Sequence, residues 1–469
     1  MMRPSRFPEI VCALLVVALS GCAVDRDSWT ADELRTVIGP PAKREPTTPS
    51  PTPSIMQTGF QSAPPASNEP VFGDDLTLET VISAVTARNP TLDAMRAAAE
   101  AATARYPQVT SLDDPSFLFN TAPGSAWSSN TDYAARIELS QKLPFPGKRD
   151  LKGQVSMAEA AAVTRDIDDT RLMLIAAAKS AVADYYLAEK GTAVAQENVK
   201  LLREFRQNAE TRYKTGVGPQ QDMLQADVEL ARQEERLVAL RRARLVAIAR
   251  LNTLMHLPPD KPLPPCAEIR RENPLPDAAA LRMTAARMRP DLKAATDRLA
   301  GDEAALALAI KEYYPDVDLM AAYDGFWQGQ NGRPLQWQVG ARVNLPIRYA
   351  RRSGVVNEAQ ARVAQRRAEL LRLTDRVNFE VQEAAEQVRE AEDIVRLYDT
   401  KVLPAAEANI KEAQTAYVNG KVPFLNLVEA QRNRVGLKDR YFEIIAEVVR
   451  RRAALDRAVG DVVPTLTGR

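Results

Sequence analysis

Four landmarks occur twice in the chain, in the same order and at a near-constant offset of about 200 residues. Arg88-Asn89-Pro90 is echoed by Met288-Arg289-Pro290, and Arg105-Tyr106-Pro107-Gln108-Val109 by Tyr313-Tyr314-Pro315-Asp316-Val317. Gln141-Lys142-Leu143-Pro144 is echoed by Val343-Asn344-Leu345-Pro346, and Tyr213-Lys214-Thr215-Gly216-Val217-Gly218-Pro219 by Tyr417-Val418-Asn419-Gly420-Lys421-Val422-Pro423. A period this long exceeds the roughly 20–50 residues of solenoid or propeller units, so each copy is a half built of several elements. The boundaries read from this pattern are 73–260 for the first repeat, 261–276 for a Pro-rich connection, 277–460 for the second repeat and 461–469 for a tail.

Composition narrows the class. Aromatic residues make up 6% and charged residues 26% of the 469, with Ala, Arg, Glu and Gln filling long stretches, which is the composition of long helices. Lys plus Arg (62) nearly balances Asp plus Glu (61), so no net field draws the chain to nucleic acid. An enzymatic reading finds no foothold. His256 is the only histidine and stands beside Leu257-Pro258-Pro259, where capping or packing is the expected role. No nucleophile with a base, Cys/His ligand cluster or phosphate-cradling Gly loop is visible, so neither catalytic, cofactor-binding nor metal-ligating residues are assigned.

The N-terminus reads as an address. Arg3 and Arg6 precede the apolar run Ile10 to Leu19, which is too short to span a bilayer and suits a secretory signal over 1–21. It ends Leu19-Ser20-Gly21-Cys22, which resembles the lipobox of bacterial lipoproteins; by that resemblance the signal is cut before Cys22, Cys22 carries lipid, and Ala23 rather than Asp after it favours the outer membrane. Residues 22–72 then form a Pro-rich tether that cannot build a core. With Cys12 removed and Cys22 lipidated, Cys266 is left without an internal disulfide partner.

Each half opens with an amphipathic helix. Leu78, Val81, Ile82 and Val85 keep helical spacing, and Asp277 offers an N-cap to a helix over 278–311; these helices are expected to end near Pro107 and Pro315. The stretches 133–143 and 335–345 alternate instead, with Ala135, Ile137 and Leu139 against Arg136, Glu138 and Ser140, and Trp337, Val339, Ala341 and Val343 against Gln338, Arg342 and Asn344. Shorter strands are expected at 117–121 and 317–323, joined to them by loops rich in Gly, Ser and Asn (124–131 and 325–334), so each half carries one hairpin. The alternation alone suits both a membrane strand with one lipid face and a soluble sheet with one face on a core.

A very long helix follows each hairpin. Positions 174, 178, 181, 185, 188, 192, 195, 199, 202, 206, 209 and 213 step by four and three, and only Thr192 and Arg206 interrupt the apolar seam; 370, 373, 377, 381, 384, 388, 391, 395, 398 and 402 repeat it. Such spacing is coiled-coil packing. Gly216-Val217-Gly218-Pro219 and Gly420-Lys421-Val422-Pro423 then turn the chain into shorter returning helices over 220–255 and 424–459. The fold class expected is mainly α with a transmembrane β part: duplicated strand hairpins plus long coiled-coil helices.

These residues resemble the TolC-like outer-membrane factors, the exit ducts of bacterial efflux and secretion systems. The resemblance runs from about Leu76 to Gly460 and rests on the duplicated plan, the Asn89-Pro90 break, the Leu143-Pro144 to Gly147-Lys148-Arg149 step, Val402-Leu403-Pro404-Ala405 and the two tip turns. It implies a homotrimer whose twelve-strand β-barrel in the outer membrane continues into a periplasmic α-helical barrel. It also implies a periplasmic adaptor (membrane fusion) protein that meets the tips, and an inner-membrane resistance–nodulation–division-type pump reached through it. Residues just beyond the tips narrow the aperture in the family; the matching positions are Asp222, Asn426 and Glu429, of which Asn426 departs from a doubly acidic pattern. Two carboxylates on solvated helix faces is the plain alternative for Asp222 and Glu429. The wording of 143–149 resembles the heavy-metal-efflux branch, implying metal cations or small toxic organics as cargo. The alternatives are the duct of a type I protein secretion system and a passive periplasmic coiled-coil lipoprotein, which leaves the hairpins unexplained.

Overall fold

The computed structural model describes residues 72–121, 134–269, 275–326 and 336–461. The signal, Cys22, the tether to residue 71, the loop 124–131, most of the loop 325–334, residues 270–274 of the connection and residues 462–469 of the tail lie outside them.

The first half runs α1 (Leu78–Arg88), α2 (Pro90–Thr103), α3 (Arg105–Thr110), β1 (Ser116–Thr121), β2 (Ala134–Leu143), α4 (Lys148–Lys214) and α5 (Gln220–Leu254). The second runs α6 (Ala278–Met288), α7 (Pro290–Lys311), β3 (Val317–Phe326), β4 (Gln336–Val343), α8 (Tyr349–Leu397), a π-helical turn (Tyr398–Val402), α9 (Leu403–Val418) and α10 (Phe424–Val459). The opening helix of each half is broken, at Asn89-Pro90 as the resemblance has it, and at Arg289-Pro290 where one helix over 278–311 is expected. Pro90 and Pro290 drive the preceding residue out of the helical region, with ψ of 119° at both Asn89 and Arg289. Both breaks reach the end of the returning helix of their own half. Asn89 Nδ2 donates to the Leu254 carbonyl at 2.9 Å, and Arg289 Nη1 to the Ala458 carbonyl at 3.2 Å. Asp277 holds the N-cap position with extended backbone, but its carboxylate makes no capping bond; in the first half Thr77 Oγ1 does, accepting from the Thr80 amide at 3.3 Å.

The four strands form one antiparallel sheet in the order β1-β2-β3-β4, so the two hairpins meet along β2 and β3 from Ala134↔Phe326 to Leu143↔Val317. The register aligns Phe117, Leu139, Ala321 and Val339 in one row and Phe119, Ile137, Tyr323 and Trp337 in the next. This face is apolar and open, with Trp337 74% and Val339 80% exposed. On the other face Arg136 pairs with Glu138 at 2.9 Å and Gln338 bonds Asp324 at 2.9 Å, while Glu138 is only 9% exposed. A soluble sheet buries its apolar face; among the described residues nothing covers this one. At the step into α4, Lys148 bonds Asp316 at 2.8 Å and the Tyr314 carbonyl at 3.0 Å, and Phe145 stacks on Tyr314 with ring centroids 4.6 Å apart. The Leu143–Arg149 step therefore grips the entry to β3.

The 67 residues of α4 rise about 100 Å at 1.5 Å per residue. Its seam is buried at Ala178, Ala181, Tyr185, Ala188, Ala195, Val199, Leu202 and Ala209, matching Val381, Ala384, Val388, Ala391 and Val395 on α8. Thr192, which interrupts the seam, satisfies its hydroxyl on the Ala188 carbonyl at 2.7 Å. The second long helix is not continuous as the seam led one to expect. Pro404 has no amide and its ring clashes with the carbonyl four residues back, so the helix widens by one residue just before it.

Two equivalent cores hold the halves. Val81, Val85, Ala181, Tyr185, Leu251 and Met255 form the first, and Leu281, Ala285, Ala384, Val388, Leu455 and Val459 the second. The connection joins the first core through Leu257 and Leu263 and through a parallel bridge in which the Leu76 amide donates to the Pro265 carbonyl at 2.8 Å. Cys266 is half-buried there, and that burial, with Glu189 beside it, pushes its thiol up to about 12 and keeps it protonated. His256 caps α5 in the left-handed region at φ 55°, with the Leu257 amide reaching back to the Asn252 carbonyl at 2.8 Å.

Candidate docking and aperture site at the helical tips

The two tip turns have the same backbone. Gly216 and Gly420 each adopt φ 71°, a region where a side chain is strained. The Gly216 amide bonds the Tyr213 carbonyl at 3.0 Å and the Val217 amide the Arg212 carbonyl at 2.9 Å; Gly420 with Tyr417 and Lys421 with Ala416 repeat both distances. Pro219 and Pro423 then hold the N-cap positions of α5 and α10. Gly216, Val217, Pro219, Gly420, Lys421 and Pro423 are exposed, and Gly218 and Val422 half-buried. Both turns thus present accessible, pre-shaped ends.

Their surroundings are not the same. Tyr417 is 3% exposed and lies in a core with Leu202, Phe205, Ala226, Phe424, Leu427 and Val428, whereas its counterpart Tyr213 is 45% exposed. Arg212 is the reason. Its guanidinium stacks 4.8 Å from the centre of the Tyr417 ring while Nη1 donates to the Tyr417 carbonyl at 2.7 Å and the Val418 carbonyl at 3.1 Å. Ala416 occupies the equivalent place in the second half and can make no such contact. The Tyr417 hydroxyl donates to Asp222 at 3.2 Å; burial first, then the Asp222 charge, pushes the phenol up to about 12.

Of the three aperture candidates, Asp222 is therefore engaged by the opposite half, while Asn426 and Glu429 are exposed on α10. Sequence reading missed Arg212 and Tyr417 as a pair, because one belongs to each half and their only signal is an asymmetry between otherwise matching landmarks. It also missed Glu229, two helical turns beyond Asp222, which is buried and bonded by Arg232 at 2.8 Å and Arg432 at 3.1 Å. The Arg432 hydrogen bond, set against burial, holds that carboxyl below the usual range. Arg206, the other seam breaker, is satisfied by Asp227 at 2.6 Å and Glu210 at 3.2 Å.

No helix among the described residues is long and apolar enough to cross a membrane, and among them no His, Cys, Asp and Glu cluster could hold a metal ion. Residues 81–255 match the family described as Outer membrane efflux protein. No curated protein matches the chain. Among solved structures, the outer-membrane channel OprN is 21% identical with a TM-score of 0.70, covering 82% of this chain and 89% of its own. CusC, solved for the conformational changes accompanying folding and transmembrane channel formation, is 16% identical with a TM-score of 0.72, covering 90% and 99%. The outer membrane protein VceC of Vibrio cholerae is 18% identical with a TM-score of 0.69, covering 82% and 97%. At these identities the likeness speaks for the fold: a mainly helical chain of the kind that builds a β-barrel continued by an α-helical barrel. Residues 81–255 are thus similar to the outer membrane efflux proteins, and the chain has the TolC-like fold that the solved channels share.

Proposed function

We propose that the protein is the outer-membrane exit duct of a tripartite efflux system, taking cargo from an inner-membrane pump through a periplasmic adaptor to the exterior. The observation that carries this reading is the four-stranded sheet with its apolar face open and its charges paired on the other. A sheet with two free edges has no closed solution within one chain, and in lipid an unpaired edge costs several kcal/mol per backbone group, roughly, so copies must supply the missing pairing. Three chains give twelve strands, as the TolC-like fold suggests. The polar face then lines the lumen.

In this reading Cys22 bears the lipid, 22–72 is the tether, 73–260 and 277–460 are the two repeats flanking the 261–276 connection, and 461–469 is the tail. The tips Gly216–Pro219 and Gly420–Pro423 meet the adaptor, and Asp222, Asn426 and Glu429 stand closest to the aperture. The protein performs no chemistry; the pump supplies the energy, and cargo is metal cations or small toxic organics. Mass measurement in detergent, paired with conductance in planar bilayers, tests it: trimers that conduct are expected, and a monomer or dimer of full conductance refutes it.

A further inference from the structure

The duct reading leaves the motif Pro144-Phe145-Pro146-Gly147-Lys148-Arg149 without a task, although both of its charged side chains are engaged. Lys148, only 3% exposed, donates to Asp316 at 2.8 Å and to the Tyr314 carbonyl at 3.0 Å, and lies 3.9 Å from Glu312. The Phe145 amide donates to the same Asp316 oxygen at 2.9 Å. Lys311, at the end of α7, donates to the Pro146 carbonyl at 3.2 Å, and it passes where a Cβ on Gly147 would stand. Arg149 holds the other side, its Nε donating at 2.7 Å to the Thr110 carbonyl at the end of α3. The first turn of α4 thus grips the approach to β1 with one residue and the approach to β3 with its neighbour.

The two grips are not equivalent. In the second half Arg352 reaches the Glu312 carbonyl at 2.8 Å, as Arg149 reaches Thr110, so the grip of each half on its own approach is duplicated. The grip across the halves is not, because Ala350 stands where Lys148 does, counted from Pro346 and Pro144. Lys148 and Asp316 are 168 residues apart in sequence. The ladder beside them, from Leu143↔Val317 to Ala134↔Phe326, is the one pairing among the described strands that no hairpin connection brings together. Closing a loop of that length costs entropy before any ladder bond can offset it. With the Lys148–Asp316 contact made, Val317 follows Asp316 directly and Leu143 stands two residues before Phe145, so β2 and β3 meet with almost no loop left to close. The hairpins must still close over residues 122–133 and 327–335. None of the gripping groups belongs to a strand. The helices alone bring them together, α4 and α7 packing where Gly301 passes close to Ala158 and Arg298 pairs with Asp166 at 2.6 Å.

We propose that Phe145, Lys148 and Asp316 form a clasp that pairs β2 with β3 ahead of the two hairpins, so that the chain enters the membrane with its halves already joined. The clasp positions strands and touches no cargo. It rests on the reading of the sheet as part of a membrane barrel.

Pulsed hydrogen exchange read by mass spectrometry tests it, on the full chain diluted from urea into dilauroylphosphatidylcholine vesicles. In the natural sequence, residues 134–143 and 317–326 should begin to gain protection before 116–121 and 336–343. Lys148→Met should delay the first two segments severalfold and erase the order, and Asp316→Asn, which keeps an acceptor but no charge, should fall between. Arg149→Met loses only the duplicated grip and should leave the order intact. Simultaneous protection of all four strands in the natural sequence overturns the clasp even where Lys148→Met fails to fold, and so does equal slowing by Lys148→Met and Arg149→Met. Simultaneous protection in vesicles that conduct leaves the duct standing without the clasp; ordered protection in vesicles that never conduct leaves the clasp standing without the duct.

Discussion

Removing the Arg212 side chain isolates the tie between the two tips. Arg212→Ala leaves the cap of the first tip in place, because Val217 and Gly218 bond the Arg212 backbone carbonyl at 2.9 and 3.0 Å and not its side chain. What disappears is a guanidinium with hydrogen bonds of 2.7 and 3.1 Å to the Tyr417 and Val418 carbonyls and a ring contact at 4.8 Å. Hydrogen bonds from a charged donor contribute about 1.5–3 kcal/mol each when sheltered, and a cation over a ring about 0.5–2. One of the two bonds lies at the exposed rim, so about 2–3 kcal/mol in the free energy of opening the tip is a fair total. That is roughly a 30- to 150-fold faster amide exchange over residues 412–424. Arg212→Lys, which keeps the charge but loses the planar fork, should fall between. Exchange followed by mass spectrometry on the trimer reads this directly. Acceleration below about threefold refutes the tie, and equal acceleration in the Tyr185 and Val388 cores refutes its local character.

The remaining expectations are shorter. Gly216→Val with Gly420→Val should strain both turns by about 1–2 kcal/mol each without a clash at Gly216, where a Cβ meets nothing within 4 Å; adaptor affinity by calorimetry should drop while trimers persist. Val339→Arg places a charge on the open face of the sheet and should cost about 2–4 kcal/mol of insertion, read as loss from the membrane fraction, whereas an equal yield would put that face in the lumen. Glu229 has a folded pKa below its unfolded value, so its contribution is present above the ordinary carboxylate range and lost as pH falls through the depressed value. Tip protection should therefore weaken on acidification, and Glu229→Gln should flatten that part of the profile; an unchanged profile would exclude the residue.

Much of the fold was legible because helices and strands impose periods on side chains. The alternation at 133–143 and the four-three spacing from Leu174 to Tyr213 are direct images of backbone geometry, and the strands and long helices lie where they point. The interrupted stretch at Tyr398–Val402 was not, since Pro404 announces a disturbance but not whether the helix kinks, ends or widens. Nor were the contacts of the tips. That Arg212 covers Tyr417 while Ala416 leaves Tyr213 bare depends on which helices become neighbours, information no local window contains.

The widened turn at Tyr398–Val402 has a genealogical meaning. Above it, the seams of the two halves match at a spacing of 203, as in Tyr185 and Val388; below it they match at 204, as in Leu202 and Ala406. Across this turn one residue separates the two copies. Inserted into a plain α-helix, one residue would rotate everything beyond it by about 100° and swing Tyr417 away from Arg212. Absorbed as a single wide turn, it left the lower register untouched. A one-residue deletion within 398–402 should consequently be tolerated, and the same deletion in the middle of α8 should not.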